Sequence, residues 1–398
     1  MPDTSYDVVV IGGGPCGATA ATDLARAGWR VALLDKAGRI KPCGGAVPPR
    51  CIRDFDIPDA QLVAKVNTAR MISPKGNTVD IPIENGYVGM VDREHFDEFL
   101  RARADEAGAD RFTGTYLGIE REGGTTTVRY RPKTSGAEPV ELTTRLVLGA
   151  DGARSNVARQ EIPNGGDIDY VIAYHEIIKA PQAKADAPNY DAKRCDVVYD
   201  GVISPDFYGW VFPHGENASV GMGTGVNGFD LKDATAKLRV ASGLSECETI
   251  RTEGAPIPLK PMKKWDNGRD VLVAGDAAGV VAPSSGEGIY YAMCCGRLSA
   301  ESLHMALAKN NPKHLAKARR KFMREHGMVF RVLGNMQDTW YISDDRRERF
   351  VTMCNDIDIQ RLTFEGYMHK RLVFAKPLAH ARIFLKNCLH LMRLIPAS

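Results

Sequence analysis

Residues 6–35 read YDVVVIGGGPCGATAATDLARAGWRVALLD, and this stretch decides the fold. Residues 6–11 are a short β-branched apolar run closed by glycines, the pattern of a strand buried on both faces. Residues 18–27 predict a helix that ends at Gly28 in the C-cap position. Residues 30–34 follow as a second buried strand, so the three elements make one β-α-β unit.

The turn between strand and helix is Gly12-Gly13-Gly14-Pro15-Cys16-Gly17. Gly12 permits the tight turn, Gly14 lets backbone approach a pyrophosphate, and Gly17 allows close packing of the helix, whose N-terminus then faces the phosphates. Asp35 ends the second strand, with Lys36 behind it, where an acid accepts hydrogen bonds from a ribose 2′-hydroxyl. A 2′-phosphate would be repelled there, so the turn suits FAD or NAD rather than NADP. Packing alone would account for the glycines but not for the acid in its place.

Working outward, Asp92 reads as an N-cap, and Phe96, Phe99, Leu100, Ala104 and Ala107 fall at helical spacing before Gly108. Buried or alternating strands are expected at residues 125–130, 146–150 and 271–274. Residues 170–225 are largely period-two and rich in aromatics, glycine and proline, which predicts an antiparallel sheet. Asn311-Pro312 signals a helix start, and the last quarter lacks strand alternation. The expected fold is α/β. Residues 1–60, 88–160 and 265–310 would form a discontinuous nucleotide domain, 61–87 and 161–264 an inserted antiparallel β substrate lobe, and 311–398 a helical C-terminal region.

Composition sets the outer bounds. With 398 residues and 44% apolar content the chain can bury a large core, and a formal charge of +3 without a Lys/Arg block argues against a nucleic-acid partner. Nine cysteines show no CxxC pair and no zinc-like spacing, so free thiols, a reducing cytoplasmic setting and no metal are expected. The first residues lack an apolar signal segment, and no run approaches the roughly eighteen apolar residues of a membrane-spanning helix.

Two distant turns separate FAD from NAD. Asp151-Gly152 follows one buried strand and Gly275-Asp276-Ala277-Ala278-Gly279 another; each alone is an ordinary turn. Taken in order with the first glycine turn, they resemble the glutathione-reductase-type flavoproteins of the aromatic-hydroxylase branch. That resemblance implies bound FAD on a glutathione-reductase-type Rossmann domain, with Asp151 and Asp276 at the cofactor and Asp276 as the acid at its ribityl and pyrophosphate region. It also implies that Arg93 reaches the FAD and that Gly286-Glu287-Gly288-Ile289 opens a helix near the isoalloxazine, whose anionic reduced form a helix N-terminus stabilises. Arg93 reads equally as a solvated helix-start residue.

Two further stretches narrow the resemblance. Residues 41–45, KPCGG, and 205–213, PDFYGWVFP, followed by Gly221-Met222-Gly223, resemble the geranylgeranyl reductase family, from the first strand to about residue 300. The nearest branch is the one that makes the phytyl tail of chlorophylls and bacteriochlorophylls. The implied activity is FAD-dependent reduction of isolated C=C bonds in a geranylgeranyl chain, on a pigment or a free diphosphate. With no second GxGxxG, either NAD(P)H binds transiently across the flavin or the electrons come from another protein; the resemblance implies NADPH. The family places Cys43, with Gly44 and Gly45, near the flavin ring, where the thiol would deliver a proton or hold the alkene; an inert buried thiol is the other reading. Cys16 departs from the commoner Ala or Ser.

Tyr208, Trp210 and Phe212 stand at period two, which puts their rings on one face of a sheet. With Pro213, Gly221 and Gly223 that face would line a tunnel for a polyprenyl chain, or it is ordinary core. An isolated alkene has no carbonyl to polarise it, so proton addition would leave a tertiary carbocation for hydride to trap. Aromatic faces stabilise cations, which gives Tyr208 and Trp210 a second use.

After Glu365 there is no acid, while Lys370, Arg371, Lys376, Arg382, Lys386 and Arg393 alternate with apolar residues. This basic amphipathic pattern predicts peripheral attachment to an anionic, photosynthetic membrane, or a helix packed on its own protein or a partner, with Pro377 dividing the segment. Three other functions remain open: an FAD-dependent aromatic-type monooxygenase, an archaeal-type isoprenoid lipid reductase, and a membrane-bound electron-relay flavoprotein.

Overall fold

The computed structural model describes residues 5–36, 40–84, 86–181, 187–361, 366, 368, 370 and 377–395. At its centre the strand Ser5–Ile11 pairs in parallel with Val31–Asp35 on one side and Val140–Gly149 on the other. Val8, Val9 and Val10 are fully buried, as a strand covered on both faces requires. Asp110–Glu122 and Val271–Val273 extend the parallel set outward, and Thr125–Pro132 bridges Asp110–Glu122 to Val140–Gly149 in antiparallel fashion. The helix Pro15–Arg26 packs between helices Arg93–Glu106 and Ile289–Ala308. Gly17 makes the strand-to-helix turn possible, since a Cβ there would lie 1.9 Å from the Gly12 carbonyl oxygen.

The second sheet has seven strands in the order Thr249–Pro258, Tyr170–Lys179, Asn217–Thr224, Gly209–His214, Arg194–Val198, Thr68–Ile72 and Thr78–Pro82. Its neighbours are antiparallel except that Arg194–Val198 runs parallel to Thr68–Ile72. The expected antiparallel pattern fails at this one pair because the two strands come from separate passes of the chain and no hairpin joins them.

The described C-terminal elements are helical. Asn311 caps a short 3-10 turn, Pro312–His314, and the long helix begins only at Lys317, running to Trp340. Helix Asp344–Met353 follows, and Trp340, Tyr341 and Phe350 pack with Tyr199, Phe207 and Tyr208 onto the seven-stranded sheet. No described helix is long and apolar enough to cross a membrane.

The tail departs from an open basic face. Lys370 is buried and ion-paired with Glu287, Arg382 pairs with Asp356 and Asp358, Lys386 with Asp356, and Arg393 with Asp345. Sequence spacing cannot reveal these pairings because every acid involved lies before residue 366. The described helix of this segment, Pro377–Leu391, has Pro377 as its first residue, which suits its missing N–H. Arg371 and Lys376 lie outside the described residues.

Candidate functional site

A cavity of about 610 Å³ runs from the C-terminal ends of the parallel strands to the face of the seven-stranded sheet. Its floor is the first glycine turn. Gly12 has φ +107 and its would-be Cβ strikes the Ala150 carbonyl, whereas Gly14 faces open space with only an Arg93 Nη2 at 4.0 Å. Gly12 is therefore fixed by packing and Gly14 by what must approach it. Helix Pro15–Arg26 has no side-chain cap, leaving its first N–H groups toward the cavity. The Asp35 carboxylate accepts from the Gly13 N–H at 2.7 Å and lies 3.9 Å from Arg101. Lys36 lines the same rim.

Asp151 also lines the cavity, but its carboxylate accepts from the Ser155 hydroxyl at 2.5 Å and from the Asn156 and Val157 N–H groups, capping helix Asn156–Glu161. Burial raises this carboxyl. The Gly275-Asp276 turn stands opposite, with Gly275 at φ +64 against the Cys16 side chain, and Asp276 is ion-paired with Lys41. Burial pushes the Cys16 thiol up, as befits a packing group against Gly275, while Gly296 makes room for the Cys16 backbone carbonyl. Gly286, Gly288 and Ile289 line the far end, where helix Ile289–Ala308 begins without a side-chain cap.

Arg93 is buried, not solvated: it donates twice to Asp97 at 2.8 Å, lies 4.0 Å from the Cβ direction of Gly14 and contacts the Cys43 thiol. Burial by itself would lower its pKa, but Asp97 and Cys43 more than offset this and keep the guanidinium charged. Cys43 lines the cavity and its sulfur accepts from the Gly45 N–H at 3.3 Å. The two glycines after it serve an unexpected neighbour. A Cβ at Gly44 would press on the Phe212 ring at 3.2 Å, and one at Gly45 would strike His214 and the Val91 carbonyl at 2.5 Å. They dock the Cys43 turn onto strand Gly209–His214, contacts between segments too distant in sequence for spacing to show.

Strand Gly209–His214 does place the rings on one face: Tyr208 and Trp210 lie 6.0 Å apart, Trp210 and Phe212 6.3 Å. Of the three, Trp210 lines the cavity. Tyr208 stacks on Phe207 at 4.3 Å, its hydroxyl donates to the Ser285 carbonyl at 2.5 Å, and burial raises its pKa. Pro213 is buried within the strand, Gly221 leaves room for Trp210, and Gly223 for Phe207. Asp97, Arg101, Lys41 and His175 also line the cavity and were missed from sequence; only Asp97, four residues after Arg93, carried a readable signal.

The residues fit FAD on these observations: the open Gly14 approach, the uncapped helix starts at Gly14 and Gly288, and cations at Arg93 and Arg101 for a pyrophosphate. Among comparisons, the family model for FAD-dependent oxidoreductases (DAO) matches residues 7–46. A geranylgeranyl diphosphate reductase of Rhodobacter capsulatus is 62% identical over 391 residues, covering 98% of both chains. The chain belongs to the geranylgeranyl reductase family. It is thus an FAD-dependent oxidoreductase, and further members are similar to it across most of their length. The chloroplastic geranylgeranyl diphosphate reductase of rice, Oryza sativa, is 37% identical over 97% of this chain and 86% of its own. A digeranylgeranylglycerophospholipid reductase of Methanoculleus marisnigri is 31% identical over 76% of this chain and 78% of its own. Among solved structures, a geranylgeranyl bacteriochlorophyll reductase-like protein from Thermoplasma acidophilum superimposes with TM-score 0.81 at 23% identity, covering 96% of this chain and 99% of that one. At that identity the likeness speaks for the fold alone.

Proposed function

We propose that this chain reduces the isolated C=C bonds of a geranylgeranyl chain to the phytyl level, on bacteriochlorophyll, chlorophyll or the free diphosphate, with NADPH as electron donor. The observation that carries the reading is the 62% identity over 98% of the chain to a protein named geranylgeranyl diphosphate reductase. We place the parallel sheet as a glutathione-reductase-type domain and the seven-stranded sheet as an inserted substrate lobe.

FAD, when bound, supplies hydride to carbon. The Gly12 to Gly17 turn with Arg93 would hold its pyrophosphate, Asp35 a ribose, and Asp276 the ribityl region once Lys41 yields it. Asp151 keeps helix Asn156–Glu161 in place at the cavity wall. The chain of the substrate would lie between Cys43 and Trp210, both of which line the cavity. Cys43 Sγ would deliver the proton to the alkene, and the Trp210 face would stabilise the resulting tertiary cation. Tyr208 fixes the Ser285-Gly286 turn at the helix start through its hydroxyl.

Membrane attachment belongs to the same proposal, on altered grounds. The tail's described cations are paired within the chain, but Phe384, Leu385, Met392 and Leu394 are each more than half exposed. These side chains would enter the lipid interface beside a lipid-tailed substrate.

The test is anaerobic incubation with geranylgeranyl diphosphate or geranylgeranyl bacteriochlorophyll and NADPH, followed by mass spectrometry. Successive additions of two hydrogens are expected; a product that gains oxygen, or none at all, overturns the reading.

A further inference from the structure

One buried group in the cavity wall is left without a task by the proposed reaction. His175, on strand Tyr170–Lys179, is 2% exposed and lines the cavity. Its neighbours in register are Gly221 on one side and Glu253 on the other. Its Nε2 lies 3.0 Å from Glu253 Oε2 and its Nδ1 2.8 Å from Ser219 Oγ. The Trp210 indole N–H donates to that same Ser219 oxygen at 3.1 Å. Arg251 donates to the other oxygen of Glu253 at 2.9 Å.

The direction of this chain follows from what each group can do. An indole N–H only donates, so Ser219 accepts from it and has its own O–H left to give. A carboxylate only accepts, so Glu253 takes the Nε2 proton; in the neutral tautomer this leaves Nδ1 to receive the Ser219 hydroxyl. Burial would raise the Glu253 carboxyl, but contacts with His175 and Arg251 hold it below its usual range, which keeps it an acceptor. Every donor from the indole to the carboxylate is used once, in one sense. Space is arranged for it as well: a Cβ on Gly221 would lie 2.4 Å from His175 Cβ and 2.6 Å from Trp210 Cζ2.

We propose that His175 is a positioning residue: anchored by Glu253 and acting through Ser219, it fixes the Trp210 indole in the cavity and so sets which double bond of the substrate chain meets the reducing centre. A buried N–H that lost its acceptor would let the indole turn, because an unsatisfied donor is costly. A fixed indole that donates to an oxygen also has a more electron-rich face toward a developing cation. The proposal rests on the alkene-reductase reading of the cavity.

The experiment uses the FAD-loaded full chain and two independent readouts. The first is the indole N–H resonance of Trp210 in protein labelled with ¹⁵N-tryptophan, assigned by its loss in Trp210→Phe. Ser219→Ala should move it strongly, and Glu253→Gln, which does not touch the indole, should move it in the same direction. An indole signal indifferent to Glu253→Gln overturns the proposal, whatever the enzyme reduces. The second is single-turnover reduction of geranylgeranyl diphosphate. Ser219→Ala and His175→Leu should slow the limiting rate about tenfold or more and change which double bond the single added pair of hydrogens saturates, while the rate of flavin reduction by dithionite stays at the wild-type value. His175→Asn, which keeps an acceptor toward Ser219, should recover part of the rate. Wild-type rate and product pattern in Ser219→Ala overturn the proposal even if His175→Leu fails to fold. If the resonance responds but wild-type protein reduces no alkene, the positioning role stands and the reductase reading falls.

Discussion

The floor of the cavity and its far wall are built by opposite means. The floor is backbone: Gly12, Gly14 and Gly17 with the uncapped start of helix Pro15–Arg26, all within one short run of sequence. The wall is side chain: Trp210, Ser219, His175 and Glu253 come from four strands and meet only through the register of the seven-stranded sheet. In a backbone site an added Cβ either breaks the turn, as at Gly17, or blocks what approaches it, as at Gly14, whereas a side-chain wall fails by degrees.

The sharpest way to break that contrast lies inside the glycine turn. Gly17→Ala should abolish folding of the first crossover, because its Cβ would fall 1.9 Å from the Gly12 oxygen; soluble yield and circular dichroism measure it. Gly14→Val sits at φ −77 and ψ −174, extended backbone with open space at the Cβ. It should fold with the melting temperature of the wild-type apoprotein yet come off the column colourless. A yellow Gly14→Val protein would mean that nothing approaches Gly14.

This difference also decides what could be read from the chain. The first strand, helix and second strand, the Asp92 cap and the three turns that line the cavity were legible because each is a local pattern with one physical cause. Trp210 was legible by its period-two partners, but its hydrogen-bond chain was not, since His175 and Glu253 look like ordinary strand residues until register brings them together. The Cys43 turn was found by resemblance, and the packing of its glycines was not legible. Its glycines admit Phe212, His214 and the Val91 carbonyl, partners set by tertiary packing. The tail's pairing was not legible, since charge counting after Glu365 could not choose between a membrane face and a helix packed on its own protein, nor see the earlier acids Glu287, Asp345, Asp356 and Asp358 that pair with its described cations.

Beneath the floor, the C-terminal segment holds Glu287 through the buried Lys370, whose ammonium also sits 5.8 Å from the Tyr290 ring centroid and 5.5 Å from that of Tyr291. Lys370→Met leaves a buried carboxylate at the start of helix Ile289–Ala308 and should cost about 3–5 kcal/mol. Lys370→Met with Glu287→Gln should recover much of the loss in thermal or urea unfolding; an uncorrected double variant would show that the pair is not the cause.

His326 tests the same underside by pH. It is 3% exposed, packed 5.0 Å from Phe322 and 5.3 Å from Tyr291, and burial first, then Arg50 and Lys370, lower its pKa to about 4. The unfolded chain takes up this proton near pH 6.5 and the folded one only near 4, so the contribution is whole above pH 6.5 and lost as pH falls toward 4. The loss amounts to about 3 kcal/mol at most. His326→Phe should flatten stability between pH 6.5 and 4 relative to wild type, measured by urea unfolding at fixed pH values.

Cys43→Ala probes the meeting line of floor and wall. It should keep FAD and dithionite reduction, yet slow alkene reduction roughly a hundredfold, the usual scale for removal of a proton-transfer group. A wild-type single-turnover rate would make the thiol structural, as its contact with the Gly45 N–H alone would have it.

The smallest effect is expected at the tail, where the contrast is between charge and apolar surface. Arg382 is 56% exposed at the side chain, and its pairs with Asp356 and Asp358 are of the kind worth under about 1 kcal/mol. Arg382→Ala should therefore shift the melting temperature by no more than a few degrees, and vesicle binding hardly at all, because the charge is already answered within the chain. Phe384 is 71% exposed and Leu394 65%, and neither has a comparable internal use. Phe384→Ser with Leu394→Ser should leave stability unchanged and weaken flotation on phosphatidylcholine vesicles. Binding that requires anionic lipid and disappears in 0.5 M salt, about the strength that shortens screening to a few ångströms, would return the tail to an electrostatic role. Binding that persists in salt and falls with the two apolar replacements assigns it to the lipid interface.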